Sequence, residues 1–256
     1  MRLSIDTDLA MIEVHEGNHS ERIPLYSRKA LEILSEIWIK VQWNELNWRS
    51  FSWLGQPIWQ LPDDLLRLQE VLIQIVPDVI VETGVNEGGS TLFFASLCEL
   101  VGHGRVLSVD IQIPELVSRQ VLAHRLSRRI TFIEGNSVAA ETIQAIRRQI
   151  TAKERVFVFL DSDHSKDHVL AELEHYSPLV SVGSYIVACD GIMHDLADTP
   201  RGDPAWRFNN PMVAAQQFVE HHPKFLIERP KTKFNDECVI RAMTYWPGAW
   251  LKRIAE

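Results

Sequence analysis

The stretch PDVIVETGVNEGGS, residues 77–90, decides how the chain is read. Its first half holds a short β-rich run, DVIVE over 78–82, its second half is a glycine-bearing turn, and apolar residues at helical spacing continue through 88–101. Glycines at such a turn let the backbone pass close to a ligand, and a helix starting there offers unbonded N–H groups. The spacing is GxxxGG, whereas a dinucleotide pyrophosphate favours GxGxxG. Glu82, just ahead of the glycines, disfavours a phosphate and favours a cationic group such as the ammonium of an amino acid. Gly84, Gly88 and Ser90 are the turn residues placed to meet that ligand.

The same strand-then-helix unit recurs downstream. Apolar runs RVLSVD (105–110), ITFIE (130–134), RVFVFLD (155–161) and SYIVACD (184–190) alternate with helical patterns near 114–127, 138–150 and 166–180. Strands that are apolar throughout and alternate with helices form a parallel sheet covered on both faces. Right-handed crossovers then give a doubly wound fold with its site at the carboxyl ends of the strands. KFLIE (224–228) and ECVIRAM (237–243), separated by a Pro- and Asn-containing turn, read as a closing antiparallel hairpin. The expectation is an α/β domain over 77–256 with a mostly parallel, seven-stranded sheet.

Residues 1–76 read as a helical, Trp-rich cap, since Trp38, Trp43, Trp48, Trp53 and Trp59 all fall there. Ala30, Leu34, Ile37 and Val41 mark one helix, and Leu65, Leu68, Leu72 and Ile75 mark another behind the acidic start Asp63-Asp64. So many indoles exceed what two helices can bury, and aromatic residues are enriched at interface cores, so a homo-oligomer using this layer is expected. The alternative is a cap folded onto its own sheet.

Chemistry concentrates at the strand ends. Asp110 ends the second strand of the sheet, where a carboxylate can accept from both hydroxyls of a ribose. Asn136 and Ser137 follow the third, where an adenine edge would lie. Ammonium, ribose and adenine contacts in that order outline S-adenosylmethionine. Asp161 and Asp190 end the fourth and fifth strands, and neighbouring parallel strands lie about 4.8 Å apart, so both carboxylates can reach one hard cation such as Mg²⁺. That ion could bind an acceptor oxygen, leaving His164 to take its proton. Each aspartate could instead cap the helix that follows it. His168 reads as a surface or capping residue, and Asp163 and Asp167 as helix N-terminal charges. The loop 194–211, rich in Pro, Asp and Asn yet carrying Trp206 and Phe208, reads as a lid. His194, Asp195, Arg201 and Asp203 on it are candidates for acceptor contacts or for bracing the loop.

Composition removes other classes. A formal charge of −8 argues against non-specific nucleic-acid binding. With 46% apolar and 23% charged residues the chain is globular in type, and no apolar run approaches the roughly 18 residues of a membrane span. Asp6, Asp8, Glu13 and Glu16 occupy the place where a secretory signal would be basic and then apolar, so a cytoplasmic protein is expected. Three cysteines without CxxC spacing suggest neither a disulfide framework nor a thiolate zinc site.

FSWLGQPIWQLPDDLLRLQEV, PDVIVETGVNEGGS, LDSDHSKDHV, YIVACDGIMHDLADTPRGDP and TYWPGAWL together resemble the cephalosporin hydroxylase family, which also contains rhamnosyl O-methyltransferases. The resemblance runs from about residue 50 onward. It implies a class I, S-adenosylmethionine-dependent methyltransferase fold and O-methylation of a sugar or natural product. Two alternatives are a part in 7α-methoxylation of a cephalosporin and a cofactor-binding subunit without chemistry of its own. In the wider group of magnesium-assisted sugar and catechol enzymes, a metal-binding Asp, a base three residues on and one or two acids ending strand five correspond here to Asp161, His164 and Cys189-Asp190. The departure is Cys189, where related sugar enzymes carry a second carboxylate.

Overall fold

The computed structural model describes residues 1–256. A three-stranded antiparallel meander opens it: β1 (Arg2–Asp6), β2 (Met11–Glu16) and β3 (His19–Pro24). Residues expected to be helical are therefore strands here. The alternation of Ile12 and Val14 inward with polar neighbours is a period of two, and it closes a small core with Ile23 and Ala30. α1 (Arg28–Asn44) follows, capped by Ser27, whose hydroxyl accepts from Ala30 N. Its buried residues are Ala30, Ser35, Ile39 and Gln42, whereas Val41 of the expected apolar face and its helical neighbours Leu31 and Trp38 are exposed. A two-stranded ribbon, β4 (Ser52–Trp53) and β5 (Gln56–Pro57), leads into α2 (Pro62–Ile75). Leu65, Leu68, Leu72 and Ile75 are buried on α2 as expected.

The main unit alternates β6 (Val79–Thr83), α3 (Gly89–Val101), β7 (Arg105–Asp110), α4 (Glu115–Ala123), β8 (Ile130–Glu134), α5 (Ala140–Arg148), β9 (Val156–Leu160), α6 (Lys166–Tyr176) and β10 (Tyr185–Ala188). α7 (Met193–Leu196), α8 (Pro211–His221), β11 (Phe225–Ile227) and β12 (Trp250–Arg253) complete it. The seven-stranded sheet has the order β11-β12-β10-β9-β6-β7-β8, with β12 antiparallel to both neighbours. The closing antiparallel strand is thus Trp250–Arg253, and residues 237–243 form no strand. The Glu237 and Val239 carbonyls accept from Arg28 of α1 at 2.7 Å instead of from a neighbouring strand, while Asp236 holds Arg229 and Thr232 in the segment before them.

Alternate residues along the strands feed two cores. Ile80, Val106, Phe157, Phe159 and Val187 face α1 to α4, and Val81, Leu107, Val158 and Ile186 face α5, α6 and α8. Strand order reverses between β6 and β9, which places a crevice at their carboxyl ends. No helix is long and apolar enough to cross a membrane.

Candidate active site

Register builds the site. Thr83 pairs with Val109 on one side and Leu160 on the other, so the next residues, Gly84, Asp110 and Asp161, stand side by side. Gly84 has φ +88°, and a Cβ there would lie 2.0 Å from the Asp161 carbonyl oxygen. Glycine is needed because two strand ends touch, before any ligand is considered. Gly88 is occupied similarly: its Cβ would lie 2.8 Å from Val121 Cγ2, and it packs on α4 away from the crevice. The ligand-facing role expected of Gly88 is therefore a packing role.

The crevice is a cavity of about 720 Å³, inside the roughly 300–1,000 Å³ of small-molecule sites. Gly84, Ser90, Asp110, Asn136 and Ser137 line it, together with Asp161, His164 and Asp190. Asp110 Oδ2 accepts from Val85 N at 2.8 Å and Asn86 N at 3.1 Å, which holds the glycine turn. Oδ1 has only a 3.3 Å contact from Gln112 N, leaving it able to take a ligand hydroxyl. Glu82 does not reach the cavity wall. It lies within β6, fully buried, and Oε2 accepts from Thr91 Oγ1 at 2.6 Å and Ser108 Oγ at 2.7 Å. Burial raises its carboxyl, so the expected ammonium contact is replaced by a brace between β6, α3 and β7.

Asp161, His164 and Asp190 each offer a ligand atom, all within 4.8 Å of one another. His164 Nε2 stands 3.4 Å from Asp190 Oδ2. Because Ala188 pairs with Leu160, the register neighbour of Asp161 is Cys189, yet Cys189 is buried in the core and outside the cluster. Asp190 comes next with φ +60°, a left-handed turn that breaks strand alternation where the carboxylate joins the group. Burial, then the charges of Asp190 and Glu82, push the Asp161 carboxyl well up. Asp190 is raised by burial, with His164 opposing. A bound cation would offset the burial of both carboxylates and relieve the charge repulsion on Asp161.

A second polar group lies behind. Glu172 is fully buried, and its Oε1 accepts from Ser162 Oγ at 2.7 Å. His168 Nε2 is 3.0 Å from Ser137 Oγ and 3.6 Å from Glu172 Oε1, and the nearby Glu172 carboxylate raises its pKa. His168 thus lines the cavity and ties the β8 turn to α6; it is not the surface residue expected. Asp163 does serve the start of α6, accepting from Ser165 N at 2.7 Å.

Trp43, Trp48, Trp59, Trp206 and Tyr245 give the cavity an aromatic lining. Trp43 and Trp206 meet edge to face, with centroids 5.5 Å apart. Of the loop candidates, Arg201 binds Asn44 through its N–H at 3.0 Å and its Nε at 2.7 Å, and Asp203 caps the turn at Ala205 N. His194 pairs with Asp195 at 2.8 Å. Arg201 and Asp203 brace the loop, His194 and Asp195 pair with each other, and none of the four lines the cavity. Gln60 and Tyr245 were not foreseen. Gln60 is a lone amide in the otherwise apolar PIWQLP (57–62), and Tyr245 is held by its backbone N–H to buried Asp64 at 2.8 Å.

The profile of the family described as Rhamnosyl O-methyltransferase/CmcI matches residues 45–254. A Rhamnosyl O-methyltransferase of Mycobacterium bovis (strain BCG / Pasteur 1173P2) is 33% identical over 165 residues, 62% of this chain and 64% of that protein. The chain therefore spans less than two thirds of that relative's length. A Rhamnosyl O-methyltransferase of Mycobacterium leprae (strain TN) is 34% identical over 174 residues, 66% of this chain and 72% of the relative. Among solved structures, one described as "cmcI-D160 Mg-SAM" superposes with a TM-score of 0.54 at 17% identity, covering 81% of this chain and 78% of that one. That likeness establishes the class I methyltransferase fold. Matched over more than four fifths of its length, the chain belongs to the rhamnosyl O-methyltransferase/CmcI family.

Proposed function

We propose that this protein is an S-adenosylmethionine-dependent, Mg²⁺-assisted O-methyltransferase acting on a hydroxyl of a sugar or other natural-product acceptor. The observation that carries the reading is the convergence of Asp161, His164 and Asp190 in the same cavity as Asp110 and Gly84. The mycobacterial relatives' name and the Mg-SAM description of the CmcI structure agree with it. Gly84, Ser90, Asp110, Asn136 and Ser137 would hold the cofactor, with Asp110 Oδ1 free for a ribose hydroxyl.

Asp161 and Asp190 would hold the cation, since paired carboxylates suit a hard divalent ion. When bound, such an ion supplies Lewis acidity that lowers the pKa of an acceptor hydroxyl. His164, whose nitrogen a hard cation prefers less than oxygen, stays available to take the proton. The indoles offer flat apolar walls for the C–H face of a sugar ring or for a polycyclic acceptor, and orient it for in-line attack on the methyl group. The test is transfer of labelled methyl to a panel of glycosides with Mg²⁺ or with EDTA. The expected result is transfer that EDTA and Asp161→Asn abolish. Cofactor binding without transfer to any member of the panel would favour a non-catalytic subunit, and full activity in EDTA with an active Asp161→Asn enzyme would remove the metal.

The exposed Leu31, Trp38 and Val41 lie along one side of α1, which supports a homo-oligomer built on that helix. A monomeric mass by light scattering at micromolar concentration would overturn it.

A further inference from the structure

Gln60 sits in the β5–α2 connection, outside the α/β unit that carries the acidic cluster. The residue is 4% exposed and lines the cavity. Nε2 donates to Asp161 Oδ2 at 2.7 Å. Oε1 is buried with no partner. The amide presents its N–H₂ to the carboxylate, the arrangement that stabilises Asp161 in the ionised form a cation needs.

The two ends of the amide differ in a way that internal packing does not explain. A glutamine buried only to brace the cap would have both ends satisfied, since an unmet buried acceptor is costly. Here one end is satisfied by the carboxylate central to the cluster and the other is a buried acceptor without a partner, so the amide's polar anchor is Asp161 alone. Asp161 also receives a backbone constraint from behind, its N–H bonding Thr83 O at 3.0 Å. With Oδ2 bonded to Gln60 and the backbone tied to β6, rotation of the carboxylate is restrained on both sides.

We propose that Gln60 is a positioning residue that fixes the Asp161 carboxylate for the divalent cation, so that the Trp-rich layer supplies part of the metal site's outer shell. This rests on the metal reading above. Its consequence is that cation affinity depends on how the cap is seated, whereas cofactor affinity, set by Asp110 and the β6 and β8 turns, does not.

The test uses the whole chain and Mn²⁺ as the probe, titrated in the absence of cofactor by electron paramagnetic resonance. S-adenosylhomocysteine affinity is measured beside it by calorimetry. Gln60→Leu and Gln60→Met fill nearly the same volume without the amide, so the cap keeps its packing. The expected result is Mn²⁺ binding weakened about 10–100-fold, the usual effect of losing an outer-shell partner, with S-adenosylhomocysteine affinity unchanged. Unchanged Mn²⁺ affinity in both variants overturns the proposal. A parallel loss of S-adenosylhomocysteine binding in both also overturns it, by showing Gln60 to be a brace for the whole site. Absence of Mn²⁺ binding by the wild-type protein removes the metal reading itself, and this inference with it.

Discussion

Gly84→Ala perturbs the point where β6 and β9 touch. An added Cβ would sit 2.0 Å from the Asp161 carbonyl oxygen and 2.6 Å from its carbon, where ordinary contact begins near 3.4 Å. The Asp161 backbone must retreat by about 1.4 Å or the turn must open, and φ +88° is strained for any L-residue. Backbone strain of about 1–3 kcal/mol and overpacking of about 1–3 kcal/mol add to about 2–6 kcal/mol. For a chain of this size that lowers Tm by roughly 5–20 °C. The chemical effect follows from the same displacement: moving Asp161 by about 1 Å from His164 and Asp190 should reduce turnover by on the order of 10²-fold even in the molecules that remain folded. Differential scanning calorimetry and Mn²⁺ titration on one preparation read both. A Gly84→Ala protein that melts with the wild type and binds Mn²⁺ equally would refute the argument that strand contact, rather than ligand approach, demands glycine here.

His164→Ala should lose about 10²–10⁴-fold in methyl transfer and recover part of it at higher pH as the acceptor ionises unaided; a rate loss independent of pH would place His164 outside proton transfer. Burial raises the Asp64 carboxyl to about 7, so the folded protein holds that proton more tightly than the unfolded chain. Its contribution to stability is complete below about pH 4 and is lost as pH rises to about 7, at most about 4 kcal/mol. Asp64→Asn should flatten the fall of Tm between pH 5 and 7.5, and parallel curves for the two proteins would show that Asp64 does not control it. Cys189→Ser, which puts a hydroxyl in the core beside Ile192 and Val187, should lower Tm and leave the Mg²⁺ dependence of activity unchanged. A shifted Mg²⁺ requirement would make Cys189 part of the cluster.

The parallel sheet was legible because its strands are apolar throughout and end in chemistry-bearing residues at regular intervals, as at Thr83-Gly84, Asp110 and Asp161. The meander over residues 2–24 was not, since only Ile12, Val14 and Ile23 carry its core and the surrounding charges hide a period of two. Asp161 and Asp190 could be named together because they follow the ends of adjacent strands, although Asp190 joins through a left-handed turn one residue past the register partner Cys189 and His164 comes from the loop beyond β9. What register cannot give is the direction of a side chain: Glu82 lies inside its strand and turns into the core, and His168, one helical turn past His164, reaches back to Ser137. Gln60 and Tyr245 come to the cavity through contacts spanning 101 and 181 positions, Gln60 with Asp161 and Tyr245 with Asp64, and such distances leave no local pattern.

β12 is threaded between β10 and β11, and β11 has no other neighbour in the sheet. The strand that comes last in chain order within this sheet is therefore the one that joins the edge strand to those before it. Pairing across so long a stretch of chain is slow, because loop-closure entropy is lost before any contact forms. Until it docks, β10 and β11 expose unpaired edges, the hazard that nascent chains share with aggregating ones. The segment leading into β12 also carries Tyr245, clasped to Asp64, and Trp246, stacked edge-on against Phe159. Completion of the sheet is consequently tied to the seating of Tyr245, so a partly folded chain would keep the glycine turn and the indoles of Trp43, Trp48, Trp59 and Trp206 yet lack the last aromatic wall of the cavity.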